Sequence, residues 1–204
     1  MKRVFPILSF GAVLVLAVTA CGKDGKEQKS DETTAAKPAA GDQTAAKKAP
    51  AESQSLKTYE NSEYGFAVEA PQSPKVAQTP APSEAGQLML NTFNFAPPGT
   101  QGGLVISVSP IPKDREINLD GARDGAISTM GATLVSSEDV KLGEHPGRAF
   151  RFRVPSQNIT GYVRLFAREH MLYQVLMAHM DSDKKLAETG RQFVDSFRFF
   201  ERTN

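Results

Sequence analysis

The chain has 204 residues, with 24 Lys or Arg against 23 Asp or Glu, a formal net charge of +1 and a single cysteine. This charge balance argues against a general nucleic-acid-binding protein, which would carry an excess of basic residues. The single cysteine excludes a disulfide within the chain.

The first residues have the layout of a secretory signal peptide. Lys2 and Arg3 form a positive start, Val4 to Val18 is an apolar stretch, and small residues lead to Cys21. A transmembrane helix needs about 20 apolar residues. The apolar stretch is shorter and contains Pro6. We therefore expect a signal peptide over residues 1–20, and its removal takes away two basic residues.

The sequence Leu16-Ala17-Val18-Thr19-Ala20-Cys21-Gly22 resembles the lipobox of bacterial lipoproteins. The resemblance implies that the Cys21 thiol receives a diacylglyceryl group, that the bond before Cys21 is cut, and that the new amine is acylated, with chains such as palmitate. Two acyl chains suffice for stable membrane anchoring. The alternative is an ordinary unpaired thiol after a plain signal peptide.

These features predict a lipid-anchored protein of the bacterial cell envelope, whose membrane contact is the lipid on Cys21. Gly22 follows the cysteine where an aspartate would act as an inner-membrane signal. By resemblance to enterobacterial sorting, this favours the outer membrane if the host has two membranes.

A flexible tether is expected at residues 21–55. From Gly22 to Ser55 the chain contains no Val, Ile, Leu, Phe, Tyr or Met. Such a segment cannot bury enough apolar surface to offset the entropy cost of ordering. As a coil it would span roughly 30 Å. The remaining residues, 56–204, form one globular domain, which at about 150 residues needs neither a disulfide nor a metal to be stable.

Alternating or continuous apolar runs in this domain predict seven strands. They lie at Phe66 to Ala70, Leu88 to Phe95, Leu104 to Pro110, Thr133 to Leu142, Arg148 to Val154, Gly161 to Arg168 and Met171 to His179. Strands that follow one another through short turns form an antiparallel sheet. The Gly-rich segment Gly99 to Gly103 is interpreted as a hairpin turn.

Two helices are predicted. The first covers Leu119 to Met130, with Asp120 near its start and Gly131 as a C-terminal stop. The second covers Ser182 to Phe197, with Ser182 as its N-terminal cap. Two helices covering one mainly antiparallel sheet make an α+β fold.

Several segments are similar to PsbP-like domains. They are Tyr59-Glu60-Asn61-Ser62-Glu63-Tyr64-Gly65-Phe66 followed by Pro71, then Gly143, Pro146-Gly147-Arg148, Leu172-Tyr173, Phe193 and Ser196-Phe197. The resemblance covers most of residues 59–200. It implies an antiparallel sheet between helices, an α/β/α sandwich, in a fold that serves photosystem accessory proteins and bacterial lipoproteins. No residue matches a photosystem or metal site of that family.

Candidate catalytic and metal-binding residues are few. The chain contains no nucleophile elbow, phosphate-binding loop, dinucleotide fingerprint or zinc motif. His145 is expected in a turn, His170 between two strands, and His179 half-buried at a strand end. Asp181 and Asp183 have the chemistry of calcium ligands, but helix capping explains them with fewer assumptions. We therefore expect no enzyme, no metal and no cofactor.

A group of arginines is the most suggestive feature. If Phe150 and Phe152 face the core, Arg151 and Arg153 face outward. In the next strand the same parity leaves Tyr162, Arg164, Phe166 and Arg168 outside. A loop over residues 155–160 would set Arg151 opposite Arg164, and like charges in that position destabilise a sheet. Either acids on neighbouring elements or an anionic partner should relieve the repulsion.

The sequence thus predicts a noncatalytic envelope lipoprotein that binds or helps assemble another envelope component. The candidate partner is an envelope protein or an anionic ligand, bound by Arg151, Arg153, Tyr162, Arg164, Phe166 and Arg168. A carrier of small ligands or lipids is the first alternative, which would need an apolar pocket lined by residues such as Phe93, Phe95 and Met177. An envelope enzyme is the second alternative.

Overall fold

The computed structural model describes residues 55–83 and 86–201. The predicted signal peptide, Cys21 and all of the predicted tether except Ser55 lie outside the described residues. The described chain forms β1 (Lys57–Asn61), β2 (Phe66–Ala70), β3 (Lys75–Ser83), β4 (Gly86–Asn94), β5 (Gly102–Pro110), α1 (Leu119–Met130), β6 (Thr133–Leu142), β7 (His145–Val154), a 3-10 turn (Pro155–Gln157), β8 (Ile159–Arg168), β9 (Met171–Met180), α2 (Lys184–Ser196) and β10 (Arg198–Phe199).

These strands form two antiparallel sheets. The larger has seven strands in the order β3-β4-β5-β9-β8-β7-β6, and the smaller has the order β1-β2-β10. The α+β class with antiparallel pairing is confirmed. The expectation of a single sheet is wrong, because Phe66–Ala70 pairs with β1 and β10 instead of joining the larger sheet.

The seven predicted strands are all present, and two of them, β2 and β6, have the predicted bounds. Three further strands, β1, β3 and β10, were not predicted. Strand β3 lies at an edge of the larger sheet and contains Pro80 and Pro82. Proline cannot donate a ladder hydrogen bond, so it is tolerated at an edge and hides the strand from pattern analysis. Strand β10 has only two residues.

The helix ends follow from capping. The α1 bounds are as predicted: Asn118 Oδ1 accepts a hydrogen bond from Gly121 N at 2.9 Å, and Gly131 ends the helix with φ +58°. In α2 the cap is Asp183, whose Oδ1 accepts from Leu186 N at 2.9 Å, and the helix begins at Lys184. The prediction of Ser182 as the cap is therefore wrong by one residue.

The two helices pack against opposite faces of the larger sheet. Successive residues of a strand point to opposite faces, and on β9 Leu172 belongs to the core cluster with α1 while Tyr173 belongs to the cluster with α2. The α2 side also contains β2 and most of the aromatic side chains, including Phe66 and Phe197. Within the described residues no helix is long and apolar enough to cross a membrane.

Candidate binding surface

The register between β7 and β8 differs from the predicted one. Arg151 lies opposite Tyr162, and Arg164 lies opposite Ala149, so the predicted pairing of Arg151 with Arg164 is wrong. The strands continue to Val154 and Ile159, and Asn158, with φ +51°, helps to close a turn shorter than the predicted loop. The slip is two residues, so every side chain keeps its predicted face.

The face that carries the arginines is only partly open to solvent. Phe166 is 2% exposed and its ring stacks on Phe197, with centroids 5.8 Å apart. Phe166 was predicted to point outward as a contact residue, but its burial leaves almost none of its surface open to a partner. The side chain of Arg168 is 9% exposed and donates to the carbonyls of Gly65 and Phe200 at 3.1 and 3.0 Å. Both corrections arise because α2 and the smaller sheet cover this part of the face.

Two further arginines on this face form ion pairs with acids. Arg153 Nη2 lies 2.8 Å from Asp181 Oδ2, and Arg164 Nη2 lies 2.6 Å from Asp195 Oδ1. Arg164 also donates to the Val194 carbonyl at 3.3 Å, near the C-terminal end of α2. Acids from neighbouring elements thus neutralise these guanidinium groups, which is the first of the two alternatives drawn from the sequence.

The pKa of Asp181 is held below its ordinary value of 3.8. The main cause is the hydrogen bond that the Thr160 hydroxyl donates to Asp181 Oδ1 at 2.7 Å, and the hydrogen bond from Arg153 adds to it, while partial desolvation acts in the opposite direction. This carboxylate therefore belongs to the local network of β8 and the β9–α2 turn.

Arg151 differs from these three arginines. It is exposed, and it has no ion pair or hydrogen bond to a carboxylate within residues 55–83 and 86–201. Its guanidinium carbon lies 5.9 Å from the centroid of the Tyr162 ring. Arg164 lies over the same ring at 5.5 Å and donates to its hydroxyl at 3.2 Å. Tyr162 is thus held in place beneath Arg151.

We call the row formed by Ser136, Arg151 and Tyr162 the Arg151–Tyr162 surface. These residues lie opposite one another across β6, β7 and β8. A guanidinium group presents a planar fork of donors that matches a carboxylate or a phosphate. The surface therefore offers one uncompensated positive charge beside a fixed aromatic ring, a combination enriched at binding hot spots.

The three histidines do not form one site. His145 is the first residue of β7 and is half-buried, where a turn was predicted. His170 is exposed in the turn between β8 and β9, and His179 lies half-buried at the opposite end of β9. In the described part of the chain no group of three or more His, Cys, Asp or Glu side chains has the arrangement to hold a metal ion.

The residues named for a carrier pocket lie in a packed core. Phe93 contacts Phe66 with ring centroids 5.4 Å apart, and Phe95 contacts Phe193 at 5.3 Å. Met177 is 5% exposed and packs against Gly190, where an added Cβ would lie 3.0 Å from the Met177 Cβ. These three side chains thus pack against neighbouring residues of the buried cluster.

The arrangement of the two sheets and the two helices is similar to the fold of a known PsbP protein. The solution structure of cyanobacterial PsbP (CyanoP) from Synechocystis sp. PCC 6803 is similar to this chain, with a TM-score of 0.53 and 11% sequence identity over 76% of this chain and 98% of that one. At this identity the likeness shows the fold alone. No protein-family model matches the sequence, and the curated proteins contain no match.

Proposed function

We propose that this chain is a lipid-anchored, noncatalytic module of the bacterial cell envelope that binds or helps assemble another envelope component. The lipobox-like sequence ending at Cys21 supports the anchor, with the outer membrane as the site in a two-membraned host. We also interpret the fold as an α/β/α sandwich, because α1 and α2 pack on opposite faces of the larger sheet.

The observation that carries the binding proposal is the contrast between Arg151 and its neighbours. Arg153, Arg164 and Arg168 each have a carboxylate within 4 Å, while Arg151 has none among the described residues. The Tyr162 ring stabilises the Arg151 charge only weakly, and an acidic group on a partner would supply the carboxylate that Arg151 lacks. Of the predicted contact residues, Arg151 and Tyr162 form the centre of the proposed binding surface, and Arg153 and Arg164 lie at its margin.

Photo-crosslinking in the native host tests this proposal. A photoreactive residue replaces Ser136, which lies opposite Arg151 on the exposed strand β6. A matched probe replaces Gln192, which is exposed on α2. We expect a discrete crosslinked envelope protein from position 136 and a different pattern, or none, from position 192. Identical patterns from both positions would contradict a specific surface.

The anchor is tested separately by Cys21→Ser, which removes the only thiol of the chain. The variant should still be exported but should leave the membrane fraction. Recovery in that fraction after a high-salt wash, in the same amount as the unchanged chain, would contradict lipid anchoring without bearing on the binding surface.

A further inference from the structure

A second site lies where the β6–β7 hairpin meets the smaller sheet. A cleft of about 300 Å³ is lined by Leu142, Gly143, Glu144, His145, Arg198 and Phe199. Gly143 forms the hairpin turn with φ +61°, and both residues of β10 belong to the lining. The volume is at the lower end of the range for small-molecule sites. It suits a ligand the size of a single ring or a short aliphatic chain.

The floor of the cleft is a fixed aromatic ring. Phe199 packs edge-on against Tyr173 and Phe197, with ring centroids 4.8 and 5.2 Å apart, and the guanidinium carbon of Arg168 lies 5.0 Å from its centroid. The His145 ring is nearly perpendicular to Phe199, at 5.0 Å. A rigid apolar floor accepts an apolar ligand body without the cost of ordering flexible side chains.

The polar groups of the cleft have no partners in the described structure. The side chains of Glu144 and Arg198 make no ion pair or hydrogen bond with any described residue, and the His145 ring nitrogens make no hydrogen bond there. Arg198 is exposed, and it precedes the floor residue Phe199 directly. A free guanidinium fork and an imidazole thus border an apolar floor, opposed by the carboxylate of Glu144.

We propose that this cleft binds a small carboxylate with an apolar body, the carboxylate on Arg198 and the body on Phe199 and Leu142. The guanidinium fork matches a carboxylate in geometry and charge. The site is separate from the Arg151–Tyr162 surface, because His145 and Arg151 lie about 20 Å apart along β7. It is therefore independent of the proposed envelope partner.

Three probes with the same ring and different charge test this assignment by amide chemical-shift titration of the isotopically labelled chain. They are 3-phenylpropionate, 3-phenylpropanamide and 2-phenylethylamine. We expect 3-phenylpropionate to shift the amides of Leu142 to His145 and of Arg198 and Phe199 with a saturable dependence on concentration. The neutral amide should bind about tenfold more weakly, and the amine should not shift these signals.

Variants assign the charged contact. Arg198→Gln should raise the Kd of 3-phenylpropionate about tenfold, equivalent to about 1.4 kcal/mol. Arg191→Gln, which removes an exposed arginine of α2, should leave it unchanged. Glu144→Gln should lower the Kd a few-fold, because it removes a repelling charge at a solvent-exposed position.

Several results would overturn the proposal. One is an equal Kd for 3-phenylpropionate and 3-phenylpropanamide, and another is tighter binding of 2-phenylethylamine through Glu144. The others are amide chemical-shift changes spread over many cationic residues, and an unchanged Kd in Arg198→Gln when its amide spectrum shows an intact fold. If the probe at position 136 captures no partner while 3-phenylpropionate still binds the cleft, the result contradicts the envelope-partner proposal and leaves the cleft proposal intact.

Discussion

Replacing Arg164 should destabilise the domain, whereas replacing Arg151 should not. Arg164 Nη2 lies 2.6 Å from Asp195 Oδ1, its Nη1 donates to the Val194 carbonyl at 3.3 Å, and its Nε donates to the Tyr162 hydroxyl at 3.2 Å. The Arg164 side chain is 26% exposed and that of Asp195 is 63% exposed. Arg164→Gln removes the charge and most of these contacts, while Arg151→Gln breaks no ion pair among the described residues.

The expected magnitude is modest because Asp195 is open to water. An exposed ion pair contributes about 0.2–1 kcal/mol. A cation near a helix C-terminus adds about 0.3–1 kcal/mol. We therefore expect Arg164→Gln to lower the free energy of unfolding by about 0.5–2 kcal/mol, which at this domain size lowers the melting temperature by roughly 1–8 °C. Arg151→Gln should stay within about 0.5 kcal/mol of the unchanged chain.

Urea unfolding followed by circular dichroism measures both variants, and a double-mutant cycle of Arg164→Gln with Asp195→Asn isolates the ion pair. The coupling energy should be about 0.5–1 kcal/mol. The reasoning is refuted if Arg151→Gln lowers the free energy of unfolding as much as Arg164→Gln does, or if Arg164→Gln leaves it unchanged.

Two other predictions concern the fold and pH. Gly147→Ala should lower the free energy of unfolding by about 1–3 kcal/mol, because the added Cβ would lie 2.6 Å from the Leu165 carbonyl oxygen. Gly103→Ala is the control, because the nearest contact of its added Cβ would be at 3.6 Å. Equal losses of stability in thermal unfolding of the two variants would contradict the packing argument. Thr160→Val should raise the pKa of Asp181 in a carboxyl NMR titration, because it removes the main hydrogen bond that lowers this pKa. Since the pKa of Asp181 is lower in the folded protein, its carboxylate stabilises the fold at pH values above its ordinary pKa of 3.8, and this stability is lost as the pH falls through the folded pKa. An unchanged pKa of Asp181 in Thr160→Val would contradict the assignment.

Local patterns in the sequence were sufficient to predict the bounds of α1 and β6. They also predicted which side chains of β7 and β8 lie on each face of the sheet. The strict alternation of apolar residues fixes which side chains share a face, whatever the register. It does not fix the register itself, because that depends on the turn, and the turn at Asn158 is shorter than the predicted loop.

The candidate sites were harder to predict because they depend on contacts between distant segments. Phe166 was placed outside since nothing local shows that Phe197, beyond α2, covers it. Asp195 and Arg164 pair across 31 positions of the chain. The cleft at His145 exists only because β10 meets the β6–β7 hairpin. A two-residue strand has no periodicity, so sequence analysis gave no signal for this site.

Partner recovery from the native host tests the role of Arg151 most directly. Membranes that carry the unchanged chain, Arg151→Gln or the control Arg191→Gln are equilibrated at low or high salt before crosslinking, and the captured envelope component is quantified by mass spectrometry. We predict that Arg151→Gln loses most of the captured component and the salt dependence of capture, because screening acts on charge-mediated contacts, while its melting temperature and the Arg191→Gln recovery stay unchanged. Equal recovery from all three chains at both salt concentrations would contradict the Arg151–Tyr162 surface as the binding site.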